Sequence, residues 1–329
     1  MYQPQTYAVA LAFMFVTMLC WGSWANTVKL CPGYRFQLFY WDYVGGLLLG
    51  ALAWGATLGS MGATGNSFWA DLCSADGHHL GLAIAGGVTF NLANLLLVAA
   101  IDIAGLAVAF PIGIGLALVV GAVSSYLIAP HGNPWMLFGG IVLVVAAIVL
   151  DAGAYRLREL QHAATSRRGV ILSLIAGLLM GCFYPFVSKA MTGEHSMGPY
   201  STAFVFALGV LLCSIPANYL LMRRPLDGGP KVTMGGYAKA PFNWHLWGMV
   251  GGLIWCTGTT LNFVASRAQI VGPAVSYSIG QGATMVSAAW GVFVWREFAQ
   301  APAAAKKLIV WMFLFFLCGL TLIALAPLF

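Results

Sequence analysis

Asp42 stands in the run Phe39-Tyr-Trp-Asp-Tyr-Val44, inside an otherwise apolar stretch. About five residues into a helix, it would lie roughly 7 Å from that helix's start at the usual rise. A carboxylate in such a setting is costly, so it normally faces a partner or a water-filled cavity. Two roles fit it: a proton-coupling or gating carboxyl, or one half of a structural ion pair with Lys29 or Arg35. The other acids have ordinary settings. Asp71, Asp76, Asp102, Glu159, Glu194 and Asp227 fall between apolar runs, where a solvated charge needs no explanation. Asp151 and Glu297 lie at run ends beside Arg156 and Arg296, where local pairing is expected.

Uncharged polar side chains offer a second kind of chemistry. Asn91 and Asn94 are three apart, hence on one helical face, and Thr259 and Asn262 repeat that spacing. Gln281 lies between two glycines, and Asn26 ends another apolar run. An amide supplies donor and acceptor together, which suits a hydroxylated or urea-like solute. Trp24, Tyr184, Trp255 and Tyr277 could stack on a flat ring or cover a sugar. These ten residues form the expected binding set. The competing reading is that each amide only joins neighbouring helices. Pro111, Gly113 and Gly115, with Pro273, Gly280 and Gly282, mark matching places for close helix packing, with bending as a secondary role.

The elements that must position these groups are membrane helices. Of 329 residues, 60% are hydrophobic and 7% charged, whereas soluble domains are roughly 25% charged. So few charges cannot coat a soluble protein, and the surplus apolar surface must face lipid. Forty glycines agree, since small residues let membrane helices approach closely. The net charge of +6 is dispersed over short loops and implies no nucleic-acid partner. Seven cysteines without a CxxC spacing give neither a disulfide framework nor a metal site.

Ten stretches approach the roughly 20 apolar residues that a bilayer crossing needs: 7–29, 37–59, 80–100, 103–128, 134–155, 169–190, 199–221, 246–266, 272–295 and 307–325. The loops after the odd-numbered spans hold thirteen Lys and Arg, while the other side holds only Lys189 and Arg267. That bias places the odd loops in the cytoplasm and both termini outside.

An internal repeat is visible. Residues 105–115 read GLAVAFPIGIG and residues 272–282 read GPAVSYSIGQG, with six identities at a constant offset of 167. The preceding spans align Gly86-Gly87 with Gly251-Gly252 and Phe90 with Trp255, and the first span of each half aligns Trp24 with Tyr184 and Lys29 with Lys189. Five spans per unit is an odd number, so consecutive copies enter from opposite sides, an arrangement recurrent in secondary transporters.

The chain resembles the drug/metabolite transporter superfamily, and within it the ureide permeases and the glucose/ribose porters. The resemblance rests on Trp21-Gly-Ser-Trp24, Asp42-Tyr43, the stretch 86–105, and the segment 290–297, WGVFVWRE. It implies proton-coupled uptake of small neutral polar solutes. Some ureide permeases carry a long insert between spans 5 and 6. Here 156–168 is short and lacks a phosphate-binding Gly-Lys motif, so no nucleotide role is carried over.

The expected fold is all-α and integral to the membrane: ten transmembrane helices as two inverted five-helix repeats, residues 1–160 and 161–329, in one membrane domain. The expected function is import of a ureide, nucleobase, nucleoside or sugar by alternating access, driven by a proton gradient without a bound cofactor. Its partners are the solute and membrane lipid, its state a monomer, its place a bacterial-type inner membrane. An exporter or a non-transporting solute sensor are the alternatives. An enzyme is disfavoured, because no HExxH, GxSxG or clustered His/Asp set occurs within the spans and His245 stands alone at a span edge.

Overall fold

The computed structural model describes residues 1–62, 65–158, 166–226, 229–268 and 270–329. The loop acids Glu159 and Asp227 lie outside the described residues. Among the described residues all regular structure is helical. In chain order the helices are α1 (Tyr7–Ser23), α2 (Asn26–Lys29), α3 (Phe36–Ala56), α4 (Phe68–Ser74), α5 (Gly77–Ala104), α6 (Leu106–Ile128) and α7 (Pro134–Arg158). There follow α8 (Arg167–Ala190), α9 (Pro199–Arg223), α10 (Met234–Ala238), α11 (Phe242–Arg267), α12 (Pro273–Gly280), α13 (Ala283–Ala289) and α14 (Ala303–Leu325).

Helix starts follow ordinary capping chemistry. Asp76 accepts the His79 N–H at 2.8 Å at the head of α5, and Pro199 and Pro273 occupy first turns, where no N–H is needed. Among the described residues, seven segments are long and apolar enough to cross a membrane: Tyr7–Lys29, Gly77–Ala104, Val108–Ile128, Pro134–Arg158, Arg167–Ala190, Pro199–Arg223 and Ala303–Leu328. The expected spans at 37–59 and 246–266 are helices α3 and α11, but Gly, Trp, Tyr and Thr dilute their apolar character. These two pack on each other.

The expected span at 272–295 is not one continuous helix. After α12 the chain tightens: the Gly282 N–H donates to Ile279 O and the Met285 N–H to Gly282 O, each at 2.9 Å and each spanning three residues. The chain resumes as α13 and ends in a π-helical turn, Trp290–Val294. α6, by contrast, runs unbroken through Pro111.

Besides α3 on α11, the main packing pairs are α5 with α8 and α9, α3 with α9, α6 with α7, α8 and α12, α7 with α14, and α1 with α11 and α13. Glycines set the closest approaches. A β-carbon on Gly46 would overlap the Met249 carbonyl, and one on Gly252 the Tyr43 carbonyl, which locks α3 onto α11. Gly87 and Gly209 play the same part between α5 and α9. The core has two parts: an aliphatic one around α6, α7 and α14, and an aromatic one where Phe39, Tyr43, Phe183, Phe206, Trp255 and Phe263 meet.

Candidate functional site

A cavity of about 460 Å³ opens among α1, α2, α3, α5, α6, α8, α11 and α13, within the range usual for small-molecule sites. Its walls are largely aromatic: Trp21, Trp24, Phe36, Phe90, Phe183 and Trp255. The Trp21 and Trp255 rings stack at 6.0 Å between centroids, and Phe90 packs against Trp255 at 4.4 Å. The Trp21 N–H donates to Thr259 Oγ1 at 3.0 Å, fixing one wall.

Of the ten expected binding residues, Trp24, Asn94, Trp255 and Gln281 line this cavity. Gln281 is buried, sits at the tightened turn after α12, and its amide hydrogen-bonds no described residue. Asn94 donates to Tyr40 Oη at 3.2 Å, leaving its carbonyl oxygen free for a further donor. Thr284, Ser287 and Lys29 complete the polar lining.

The remaining expected residues are engaged in hydrogen bonds with other residues of the protein. Asn91 accepts from Tyr40 at 2.8 Å and Ser214 at 3.0 Å, joining α3, α5 and α9. Asn262 accepts from Tyr184 at 2.5 Å and donates to Ser276 O at 2.9 Å, joining α8, α11 and α12. Tyr277 donates to Ala117 O at 3.2 Å, and Thr259 donates to Trp255 O at 3.0 Å. Asn26 accepts from the Trp295 N–H at 2.6 Å and lines a neighbouring cavity of about 450 Å³ with Lys29, Tyr155, Arg158 and Glu297. Of the residues expected at close packing, Gly113 lies under Gly177, Gly280 under Trp21, and Gly282 between Met18 and Leu320. Gly115 has open space where close packing was expected. The sequence reading missed Trp21, Phe36, Phe90 and Phe183. Their aromatic type inside apolar runs was the available signal, but lipid-facing rings share it.

Asp42 is buried as expected, but not with Lys29. Its Oδ1 accepts from Tyr237 at 2.6 Å, its Oδ2 from Tyr34 at 3.1 Å, and His245 Nδ1 lies 2.9 Å from Oδ2. His245, read from the sequence as solitary, is therefore part of this cluster. Burial together with the Asp42 charge pushes the Tyr34 and Tyr237 hydroxyls well above their ordinary range, so both are firm donors.

Lys29 instead pairs with Glu297, Nζ to Oε1 at 2.6 Å, and lies 4.8 Å over the Trp295 ring. Glu297 was expected beside Arg296; its other oxygen takes Arg158 at 3.0 Å and the Tyr155 hydroxyl at 3.0 Å. Burial pushes this carboxyl up. The Lys29 hydrogen bond and charge, aided by Tyr155 and Arg158, outweigh it and hold the group below the usual glutamate value. Asp151 was expected to pair with Arg156. It is buried, Arg156 is exposed, and no ion pair forms between them. Among the described residues no three His, Cys, Asp or Glu side chains are grouped to hold a metal.

A family model described as ureide permease matches residues 158–326. Ureide permease 1 of Arabidopsis thaliana is 20% identical, the alignment covering 98% of each chain. Ureide permease 2 and Ureide permease 4 of the same plant are each 22% identical, again over 98% of each chain. A solved protein structure of 16% sequence identity superposes with a TM-score of 0.65, covering 96% of this chain and 97% of that one. That likeness concerns the fold alone.

Proposed function

This chain belongs to the ureide permease family, and from that premise we propose that it is a secondary active importer of a small neutral polar metabolite, with a ureide as first choice and a nucleobase, nucleoside or sugar as alternatives. Family membership carries the coarser statement: a multi-pass membrane protein that transports small solutes and is not an enzyme.

The observation that carries the solute class is the free Gln281 amide facing, with the open acceptor of Asn94, into an aromatic-walled cavity. A urea group presents alternating N–H and C=O edges, which amides match pairwise. Flat indole and phenyl faces suit a flat ring lying between them.

The proposed architecture is ten spans in two inverted repeats, 1–160 and 161–329, with alternating access. Several observations support it. The glycine locks Gly46/Gly252 and Gly209/Gly87 exchange under the repeat, α3 with α9 and α11 with α5. The pairs α5–α8 and α11–α1 exchange in the same way. Gly105 and Gly272, which open matching spans, share φ 79° and nearly identical ψ, 157° and 159°. A positive φ is open to glycine at little cost.

The relatives named above are plant proteins, so the proposed location, a bacterial-type inner membrane with both termini outside, rests on charge bias and composition. A proton gradient is the proposed energy source. Of the two roles open to Asp42, its ring of donors favours the structural one: it fixes α10 and the start of α11 on α3.

The test is uptake of labelled allantoin, uracil, uridine and glucose by purified protein in liposomes, with binding followed by thermal shift. Gln281→Leu and Asn94→Leu should each weaken binding of the transported solute about ten- to a hundredfold while remaining folded. Undiminished binding in both variants would mean that these amides only support the wall. Binding without flux would favour the sensor, and outward-only flux the exporter.

A further inference from the structure

Asp151 lies on α7, 8% exposed, in a helix long and apolar enough to cross a membrane. Its Oδ1 meets no hydrogen-bond partner, and no described Lys, Arg or His comes within salt-bridge distance of its carboxyl group. A buried carboxylate left without a cation or donors costs several kcal/mol, whereas the protonated acid carries no charge to desolvate.

Its surroundings connect it to the cavity. One turn along α7, the Tyr155 hydroxyl donates to Glu297, and Arg158, two turns along and on the same face, holds the same oxygen. The other Glu297 oxygen holds Lys29, whose side chain lines the main cavity as well as the neighbouring one. The charged or titratable groups facing Asp151 are thus Tyr155, Glu297 and Arg158. From the helices packed on α7, the described part of α6 offers no charged side chain. α14 begins with Lys306 and Lys307, both exposed, and Lys306 is spent on the Ala299 carbonyl at 3.0 Å.

We propose that Asp151 is the proton site of the transport cycle, neutral in this conformation, and that its charge state is read by the Glu297–Lys29–Arg158 bridge beside the cavity. The inference rests on the proton-coupled reading above. Release of the proton to water leaves a carboxylate near Glu297. Arg158, on the same helix face as Asp151, is then drawn to the new charge, and like-charge repulsion loosens Glu297 from α7. The segment after α13 is freed, and with it α13, whose Thr284 and Ser287 line the cavity. Proton binding restores the contact. The signal passes through one bridge.

The test uses purified full-length protein in liposomes with labelled allantoin, an imposed pH gradient, and Asp151→Asn, Asp151→Glu and Asp42→Asn beside the wild type. Asp151→Asn should lose gradient-driven accumulation and the pH response of counterflow, and Asp151→Glu should recover both. Independently, infrared spectra of the wild type at neutral pH should contain a carboxylic-acid C=O band that is missing in Asp151→Asn and present in Asp42→Asn. Retained pH-driven accumulation in Asp151→Asn would overturn the proposal, as would accumulation driven by sodium alone, or an unchanged infrared band. If the wild type moves no allantoin, the solute reading fails while the band still decides Asp151.

Discussion

Asp42 and Asp151 are 5% and 8% exposed, in helices that bury one acid each. Around Asp42 stand two tyrosine hydroxyls and a histidine nitrogen, all within 3.1 Å. Around Asp151 no donor reaches Oδ1. Equal burial therefore produces opposite electrostatics. Donors compensate for the water that a buried carboxylate loses, so Asp42 can hold structure together. Without donors nothing compensates the same group for its lost water, which is the ground for the proton role proposed above. The type of the residue and its depth are shared. The company each carboxyl keeps decides what it does.

The comparison can be broken at either member. The largest expected effect is on stability at Asp42. Asp42→Ala leaves Tyr34, Tyr237 and His245 without their common acceptor and should cost about 3 kcal/mol, seen as a lower melting temperature in detergent and increased proteolysis around α10. An unchanged melting temperature would show that the donors have other partners. Removing one donor should matter less: His245→Ala should cost about 1–2 kcal/mol, because both tyrosines still reach the carboxylate.

Glu297→Gln sharpens the other side. Lys29 is half-exposed, so the pair contributes at most about 1 kcal/mol to stability. The bridge beside the cavity nevertheless opens, and Lys29 should acylate faster, as read by peptide mass spectrometry. Equal acylation rates would mean that Lys29 is already free in solution.

The smallest effect is on pH. Burial acts to raise the Glu297 carboxyl, but Lys29, Tyr155 and Arg158 hold it below its ordinary value of 4.5. A depressed carboxyl contributes stability that is present above that value and lost as pH falls through the folded one. Melting temperature should therefore decline below about pH 4.5 more steeply in the wild type than in Glu297→Gln. Parallel curves would place the acid sensitivity elsewhere.

Much of the helix order was legible. The span expected at 199–221 is the helix Pro199–Arg223, bounded by a proline that starts a helix readily and a basic residue at its end. The span expected at 134–155 is Pro134–Arg158 for the same reasons. What failed was continuity at 272–295, because a Gly-Gln-Gly sequence permits a helix and a tight turn alike. Packing of Gly282 between Met18 and Leu320 goes with the turn. In the site, Trp24, Asn94, Trp255 and Gln281 were legible as polar or aromatic groups within apolar runs. Asn262 looked identical to Asn94 by type, yet Tyr184 and Ser276 occupy its amide.

By itself the sequence determined that the protein is helical and membrane-embedded, since 60% hydrophobic residues with 7% charge leave no other way to keep apolar surface from water. It also carried the repeated glycine pattern and the small stock of buried acids. Tertiary structure alone decided which amides stay free, that Lys29 meets Glu297 rather than Asp42, and that His245 closes on Asp42 across 203 residues. Hydrophobicity is a property of each residue and can be summed along the chain. A hydrogen bond or ion pair acts over about 3 Å, and only packing brings residues that far apart in sequence to that distance.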